Sequence, residues 1–231
     1  MDENITAELA NRAFGRAGCQ EYGIVVREGA SSWGAHESGR ITIPYGSSAH
    51  ELPIAYDERE APYVVGPDGH TEARTLVSLS DEEDRLACAW AVPAPGSSLL
   101  GVGIDLASAR DFGGRPGTER FVELMFSARE RDLARGLYAD DAPLSLATLF
   151  GAKEAAFKST ARPLRRWYRT HGEQLCYEVR DFGMTEPGVE RGELRRGAAQ
   201  AALDRMGVGR IEVHHARVGS MALVVALAFS A

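Results

Sequence analysis

The chain contains only two lysines, Lys153 and Lys158, which lie five residues apart with Glu154 between them. The other 24 basic residues are arginines. Arginine can replace lysine wherever a generic positive charge suffices, but not where a compact ammonium on a flexible stem must meet a phosphate or enter a tight site. The pair therefore indicates contact with a phosphate or another anion, with chance placement as the alternative.

A helix predicted over residues 141–158 carries both lysines. At about 100° per residue, Lys153 falls within the apolar arc of this helix, where an ammonium is costly unless it reaches water or meets an anion. Such a conflict between residue type and position is typical of functional sites. A structural interpretation competes with it, because Glu154 and Lys158 at i, i+4 can form an ordinary surface ion pair while Lys153 extends to solvent.

Asp105 is a candidate functional acid on a different element. It follows Gly101-Val-Gly-Ile near the end of an apolar strand. Open sheets commonly place ligands or metals at such strand ends, and the glycines permit close approach of another backbone. The alternative is a carboxylate that caps a turn. The Gly-x-Gly pair alone does not make a dinucleotide-binding fingerprint.

The pattern of apolar and polar residues predicts an α+β scaffold for these side chains. We predict helices over 5–17, 118–137, 141–158 and 193–206, strands over 22–28, 75–80, 85–92, 99–106, 174–182, 208–216 and 220–229, a loop or hairpin over 29–48, and an arginine-rich loop after residue 158. Pro93-Ala-Pro-Gly-Ser-Ser98 divides the chain into an N-terminal lobe, 1–98, and a C-terminal lobe, 99–231. Because both halves end in a similar series of elements, we expect two pseudo-symmetric lobes, each a small sheet packed with helices, with a ligand cleft between them.

Composition is that of an ordinary globular protein, with 231 residues of which 44% are hydrophobic and 26% charged. The longest apolar run, 221–229, is far shorter than the ~20 residues of a membrane-spanning helix. The N-terminus resembles no export signal and the cysteines form no C-x-x-C pattern, so we expect a cytoplasmic protein without disulfides or a zinc site.

Charge is divided unevenly along the chain. The formal net charge of −7 combines −9 over residues 1–100 with +2 over residues 101–231. An anionic ligand is therefore favoured in the second half. The overall negative charge argues against nonspecific binding to nucleic acid, and we expect neither nucleic acid nor a membrane as a partner.

The order of three segments resembles the signature of the phosphopantetheinyl transferases. These segments are Gly101-Val-Gly-Ile-Asp105, Phe126-Ser-Ala-Arg-Glu130 and Phe150-Gly-Ala-Lys-Glu-Ala-Ala-Phe-Lys158. The resemblance covers residues 72–229, and the chain length is similar to that of the two-lobed surfactin-synthetase-activating type. Since two lobes in one chain suffice for such an enzyme, we expect a monomer.

The resemblance implies a chemistry for these residues. Such enzymes transfer the phosphopantetheine arm of coenzyme A to a serine of an acyl or peptidyl carrier protein, with Mg²⁺, in pathways that include secondary metabolism. Asp105 and Glu154 would hold the metal, and Lys158 would neutralise pyrophosphate charge. Either Glu154 or a water that it orients would take the serine proton. Four further residues are expected to bind coenzyme A, namely Lys153, Ser80, Arg162 and Arg166, and Glu130 is expected to be structural.

Three residues depart from the family's pattern. Ala107 stands where a second acid is frequent, Asp81 where a histidine meets coenzyme A phosphate, and Gly151 where serine or cysteine is usual. Two alternatives to a transferase follow. One is the same fold without this activity, as a binding or regulatory protein or a repurposed enzyme. The other is an unrelated α+β domain with no metal site near Asp105.

Overall fold

The computed structural model describes residues 3–28, 40–45, 48–56, 62–65, 74–173, 175–186, 191–196 and 199–231. Within these ranges, the first half of the chain contains one helix and six strands, which are α1 (Glu3–Phe14), β1 (Cys19–Glu28), β2 (Arg40–Tyr45), β3 (Ser48–Tyr56), β4 (Pro62–Val64), β5 (Leu76–Glu82) and β6 (Arg85–Pro93). The strands form two antiparallel sheets, ordered β1-β6-β5 and β2-β3-β4.

The described part of the second half contains five strands and five helices. In chain order these are β7 (Leu99–Ser108), α2 (Thr118–Met125), α3 (Ala128–Leu137), α4 (Ala142–Ser159), α5 (Ala161–His171), β8 (Phe182–Glu186), β9 (Arg191–Arg196), α6 (Gln200–Arg205), β10 (Val208–Val218) and β11 (Met221–Ser230). The strands form one antiparallel sheet in the order β7-β11-β10-β9-β8. The α+β class, with sheets packed against helices, is confirmed; the lobe boundary at residue 98 stays a prediction.

The five-stranded sheet is covered on both faces. Helix α4 packs on one face, and α1 lies against the other, where Leu9 and Phe14 are buried in a cluster with Ile104 of β7 and Leu223 of β11. Because β11 is buried on both faces, its sequence is a continuous apolar run. No helix in the described ranges is long and apolar enough to span a membrane.

Two glycines set the distance between α4 and β7. A Cβ placed on Gly101 would lie 1.9 Å from the carbonyl oxygen of Ser159, and one on Gly103 would lie 1.9 Å from that of Ala155. Main-chain atoms of the helix therefore rest directly on the strand, as the glycine spacing predicts.

The hairpin of the first half packs along β7. Ser78 Oγ accepts a hydrogen bond from the Ile104 amide at 3.1 Å, and Ser80 Oγ accepts one from the Leu106 amide at 3.2 Å. These side chains join the two halves next to Asp105.

Several predicted elements differ from the structure. The helix over 118–137 is two helices, because Ser127 caps α3 in a reciprocal capping box with Glu130. The arginine-rich segment is not a loop but helix α5. Residues 175–181 are not a strand, since a 3₁₀ turn, Val179–Asp181, precedes β8. Of the helix predicted over 193–206, residues 193–196 belong to strand β9, and helix α6 begins only at Gln200. Of the loop or hairpin over 29–48, residues 40–45 are strand, whereas 29–39 and 46–47 lie outside the described residues.

Candidate active site

The carboxylate of Asp105 is the centre of a polar cluster between β5, β7 and α4. Lys158 Nζ donates to Asp105 Oδ1 at 2.7 Å and to the carbonyl oxygen of Ile104 at 3.2 Å. Ser80 Oγ donates to the same Oδ1 at 2.9 Å and lies 3.3 Å from Lys158 Nζ. Both halves of the chain thus contribute to one cluster. The structure brings together three of the residues selected from the sequence.

Glu154 lies one helical turn before Lys158 and is half-buried. Burial raises its pKa, the negative charge of Asp105 raises it further, and Lys158 lowers it. For Asp105, burial also raises the pKa, against the lowering effects of Lys158 and of the Ser80 hydrogen bond. The two carboxylates are therefore desolvated, and the charge of Asp105 disfavours ionisation of Glu154. A cation bound between them would relieve this cost.

Two carboxylates fit magnesium only in part. Their hard oxygens suit Mg²⁺, which keeps several waters and commonly binds through one or two carboxylates plus substrate phosphates. Among the described residues there is no group of three or more histidine, cysteine or acidic side chains that could hold a metal. Ala107, the neighbour of Asp105 on the same face of β7, supplies no third carboxylate. A metal here would depend on water and substrate for its remaining ligands.

Gly151 gives Asp105 its space. A Cβ at this position would lie 3.3 Å from Asp105 Oδ2 and 3.1 Å from Val224 Cγ2. A serine or cysteine would therefore press on the carboxylate oxygen that does not bind Lys158. Because glycine has no Cβ, Asp105 Oδ2 keeps free space on this side.

Lys153 does not reach this cluster. Its ammonium lies 2.8 Å from Glu130 Oε1, and it donates to the carbonyl oxygen of Phe182 in a core where the lysine side chain is only 2% exposed. Glu130 also accepts from the amides of Ser127 at 2.9 Å and Met184 at 3.2 Å. Lys153, in the apolar arc of α4, thus has an anionic partner within the protein, the Glu130 carboxylate. This ion pair connects α4 with α3 and β8.

Arg162 and Arg166 lie away from Asp105. They line a cavity of about 490 Å³ together with Arg74 and with Leu99 and Leu100, at the beginning of β7. The structure thus separates these two predicted coenzyme A ligands from the carboxylate cluster.

A second cavity, of about 470 Å³, lies beside Ala107 and was not expected from the sequence. Phe112, Phe121 and Phe150 line it, and Glu82 lies at its border. Burial, together with the charges of Asp111 and Asp105, raises the pKa of Glu82 to about 7. The three phenylalanines come from separate elements, so no local spacing in the sequence could reveal them.

Comparison with known proteins agrees with the motifs. Residues 101–196 match the family described as the 4'-phosphopantetheinyl transferase superfamily. No curated protein matches the chain significantly.

Solved structures with similarity to this chain include several acyl carrier protein synthases. The acyl carrier protein synthase of Mycobacterium tuberculosis is 28% identical, with 58% of this chain and 99% of that chain covered and a TM-score of 0.40. The holo-ACP-synthase of Plasmodium yoelii is 17% identical, with 58% and 96% covered and a TM-score of 0.43. The Helicobacter pylori holo-[acyl-carrier-protein] synthase in complex with coenzyme A is 16% identical, with 55% and 98% covered and a TM-score of 0.42.

The matched region contains Asp105, Glu130, Lys153, Glu154 and Lys158, which are the acids and lysines of the three sequence motifs. The two-lobed subtype stays a prediction. The resemblance of the chain to the 4'-phosphopantetheinyl transferase superfamily is thereby confirmed over residues 101–196.

Proposed function

We propose that the protein transfers the phosphopantetheine arm of coenzyme A to a serine of an acyl or peptidyl carrier protein, in a reaction that requires Mg²⁺. The observation that carries this proposal is the cluster of Asp105, Lys158 and Ser80, with Glu154 one turn away, inside the region that matches the family or in contact with it. A buried acid, a lysine and a second acid at the boundary of two lobes suit the neutralisation of a pyrophosphate.

In this proposal Asp105 and Glu154 would hold the metal, which would withdraw charge from the pyrophosphate oxygens of coenzyme A. Lys158 has a flexible stem and is about a quarter exposed, with 29% of its side chain accessible. It can therefore leave Asp105 and donate to a pyrophosphate oxygen. Ser80 keeps Asp105 oriented during this exchange, because its hydroxyl bonds to both the carboxylate and the Leu106 amide.

The reaction balances with these groups. The carrier serine oxygen bonds to the phosphorus that bears pantetheine, and the phosphoanhydride bond breaks. Adenosine 3',5'-bisphosphate leaves with the bonding electrons. The serine proton goes to Glu154 or to a water that Glu154 orients; partial burial raises the pKa of Glu154 and so makes its carboxylate a stronger base than an exposed one.

We assign Lys153 to the core rather than to coenzyme A. Its ammonium already has Glu130 and a main-chain carbonyl as partners, and its exposed fraction is 2%. Contact with coenzyme A would require breaking a buried ion pair, which is strongly unfavourable.

The carrier protein is proposed to dock on α2 beside the aromatic cavity. Leu124 is 61% exposed and Phe121 is 39% exposed, so α2 presents two large apolar side chains to solvent. Apolar patches next to a reaction site commonly mark a protein-binding surface. We also propose the two-lobed type, acting as a monomer in the cytoplasm, since Ser80 reaches the site from the first half of the same chain.

A second candidate function keeps the fold without the transfer. Asp81 adds negative charge beside the cluster, which contributes to the raised pKa of Asp105, and Ala107 leaves the site with one carboxylate on β7. Both residues oppose the binding of a metal pyrophosphate. Failure to bind coenzyme A would favour this candidate.

Intact-protein mass spectrometry of apo carrier proteins, incubated with this protein, coenzyme A and Mg²⁺, tests the proposal. We expect a gain of one phosphopantetheine group that is lost with Glu154→Gln and kept with Glu8→Gln, which makes the same change on an exposed face of α1. No gain with any carrier, beside a control enzyme that modifies them, would overturn the transferase proposal.

A further inference from the structure

The cavity at the beginning of β7 has an unusual lining for a protein with a net charge of −7. Three arginines line it, Arg74 from the start of the β5 segment and Arg162 and Arg166 from α5. No aspartate or glutamate is among the described residues that form its wall. The remaining wall consists of Gln20, Pro93, Pro95, Leu99, Leu100, Pro163 and Met206. Among the described residues, the lining therefore combines positive charge with apolar side chains.

This cavity is separate from the candidate active site. Leu100 lies five residues before Asp105 on an extended strand, which corresponds to about 17 Å at the usual rise per residue. The cavity shares no lining residue with the aromatic cavity beside Ala107. A small anion held by the arginines would therefore not touch the carboxylates of the transfer site.

Two of these arginines repel each other along one face of a helix. Arg162 and Arg166 are at i, i+4 on α5, where like charges repel. Partial desolvation, together with the charges of Arg165 and Arg166, lowers the pKa of Arg162. A negative group bound near both guanidinium groups would favour their charged forms.

We propose that this cavity binds a small molecule carrying a phosphate group, independently of the transfer reaction. Guanidinium groups present paired donors that match phosphate oxygens, which makes arginine the preferred residue for such recognition. Leu99, Pro93 and Pro163 provide an apolar wall for the rest of the ligand. The volume of about 490 Å³ lies within the range of small-molecule sites.

Titration calorimetry with inorganic phosphate and with pyrophosphate, in the absence of Mg²⁺, tests this inference. The measurements are made on the Lys158→Met variant, which lacks the lysine of the transfer site. We expect binding to persist in that variant and to weaken about tenfold or more when Arg166→Gln is added, as for the loss of a charged hydrogen bond. Arg169→Gln is the matched control, because it removes an exposed arginine of the same helix that does not line the cavity.

Two results would overturn the inference. One is the absence of phosphate binding to Lys158→Met, which would place any anion site of the wild type at Lys158. The other is equal affinity with and without Arg166→Gln, in variants whose melting temperatures show that both are folded. Since the assay contains neither carrier protein nor coenzyme A, its outcome is independent of whether the proposed transferase activity is found.

Discussion

Helix α4 carries two lysine–carboxylate pairs whose lysines lie five residues apart. Lys153 and Glu130 are 2.8 Å apart, with side chains 2% and 6% exposed. Lys158 and Asp105 are 2.7 Å apart, with side chains 29% and 8% exposed. The pairs have nearly the same length but different access to solvent. Only the second can exchange its partner for a ligand, because only its lysine has room to move.

The largest effect is expected from breaking the inner pair, Lys153 with Glu130. Lys153→Met leaves the Glu130 carboxylate buried without its cation, which typically lowers the free energy of unfolding by about 3–5 kcal/mol. Urea denaturation measures this loss. Adding Glu130→Gln to Lys153→Met removes the uncompensated charge and should restore part of the stability. A loss below about 1 kcal/mol in the single variant would contradict a structural role for the pair.

Breaking the outer pair, Lys158 with Asp105, should affect the reaction more than the fold. If Lys158 neutralises pyrophosphate, Lys158→Met lowers kcat/KM about 100-fold or more, as for the removal of one donor to a developing charge. Steady-state kinetics on a carrier protein measure it, with Arg169→Gln as the charge-matched control. An unchanged kcat/KM would remove Lys158 from the proposed chemistry.

Gly151→Ser crowds the acid of the outer pair without changing any charge. Its Cβ would meet Val224 Cγ2 at 3.1 Å and Asp105 Oδ2 at 3.3 Å, so we expect a loss of about 1–2 kcal/mol in stability. We also expect weaker Mg²⁺ binding, measured by calorimetry. Gly136→Ser, on α3 with no neighbouring atom within 4 Å of its Cβ, is the control. Equal behaviour of the two variants would show that the space beside Asp105 is not needed.

The smallest expected effect is on the pH dependence of stability, through Glu82, an acid near the outer pair. The pKa of Glu82 is raised from 4.5 to about 7, so its protonated form favours the folded state. Its contribution to stability is present at low pH and is lost as the pH rises toward about 7. Because Glu82 is substantially solvated, the effect is modest. Between about pH 5 and about pH 8, the melting temperature of Glu82→Gln should fall less than that of the wild type; parallel curves would contradict the shift.

The contrast between the two pairs also shows what the sequence could and could not predict. The order of motifs was sufficient to select Asp105, Glu154 and Lys158, and the family resemblance added Ser80. The structure brings Asp105, Lys158 and Ser80 into direct contact. The sequence could not separate the two lysines, because helical spacing placed Lys153 on the core face but could not identify its partner on another helix. That partner, Glu130, is 23 residues earlier in the chain.

The prediction of secondary structure was poorest where the periodic pattern of apolar residues does not determine the element. In those segments capping side chains or distant sheet neighbours determine it. The Ser127-x-x-Glu130 pattern is a capping-box signal that could have divided the predicted helix over 118–137. Helix α5 was missed because its polar face is rich in arginine, although Gly172 in the left-handed region ends it in the usual way. The short strands β8 and β9 depend on sheet neighbours far along the chain.

The contact of α4 with β7 through Gly101 and Gly103 has a consequence for tolerance to mutation. Since no side chain separates the helix from the strand at these two points, replacements of larger core residues can alter packing elsewhere without changing the helix-to-strand spacing. The distance between Asp105 on β7 and Lys158 on α4 is therefore expected to stay the same when core side chains change in size. Their separation is vulnerable instead to a single event, the addition of one methyl group to either glycine.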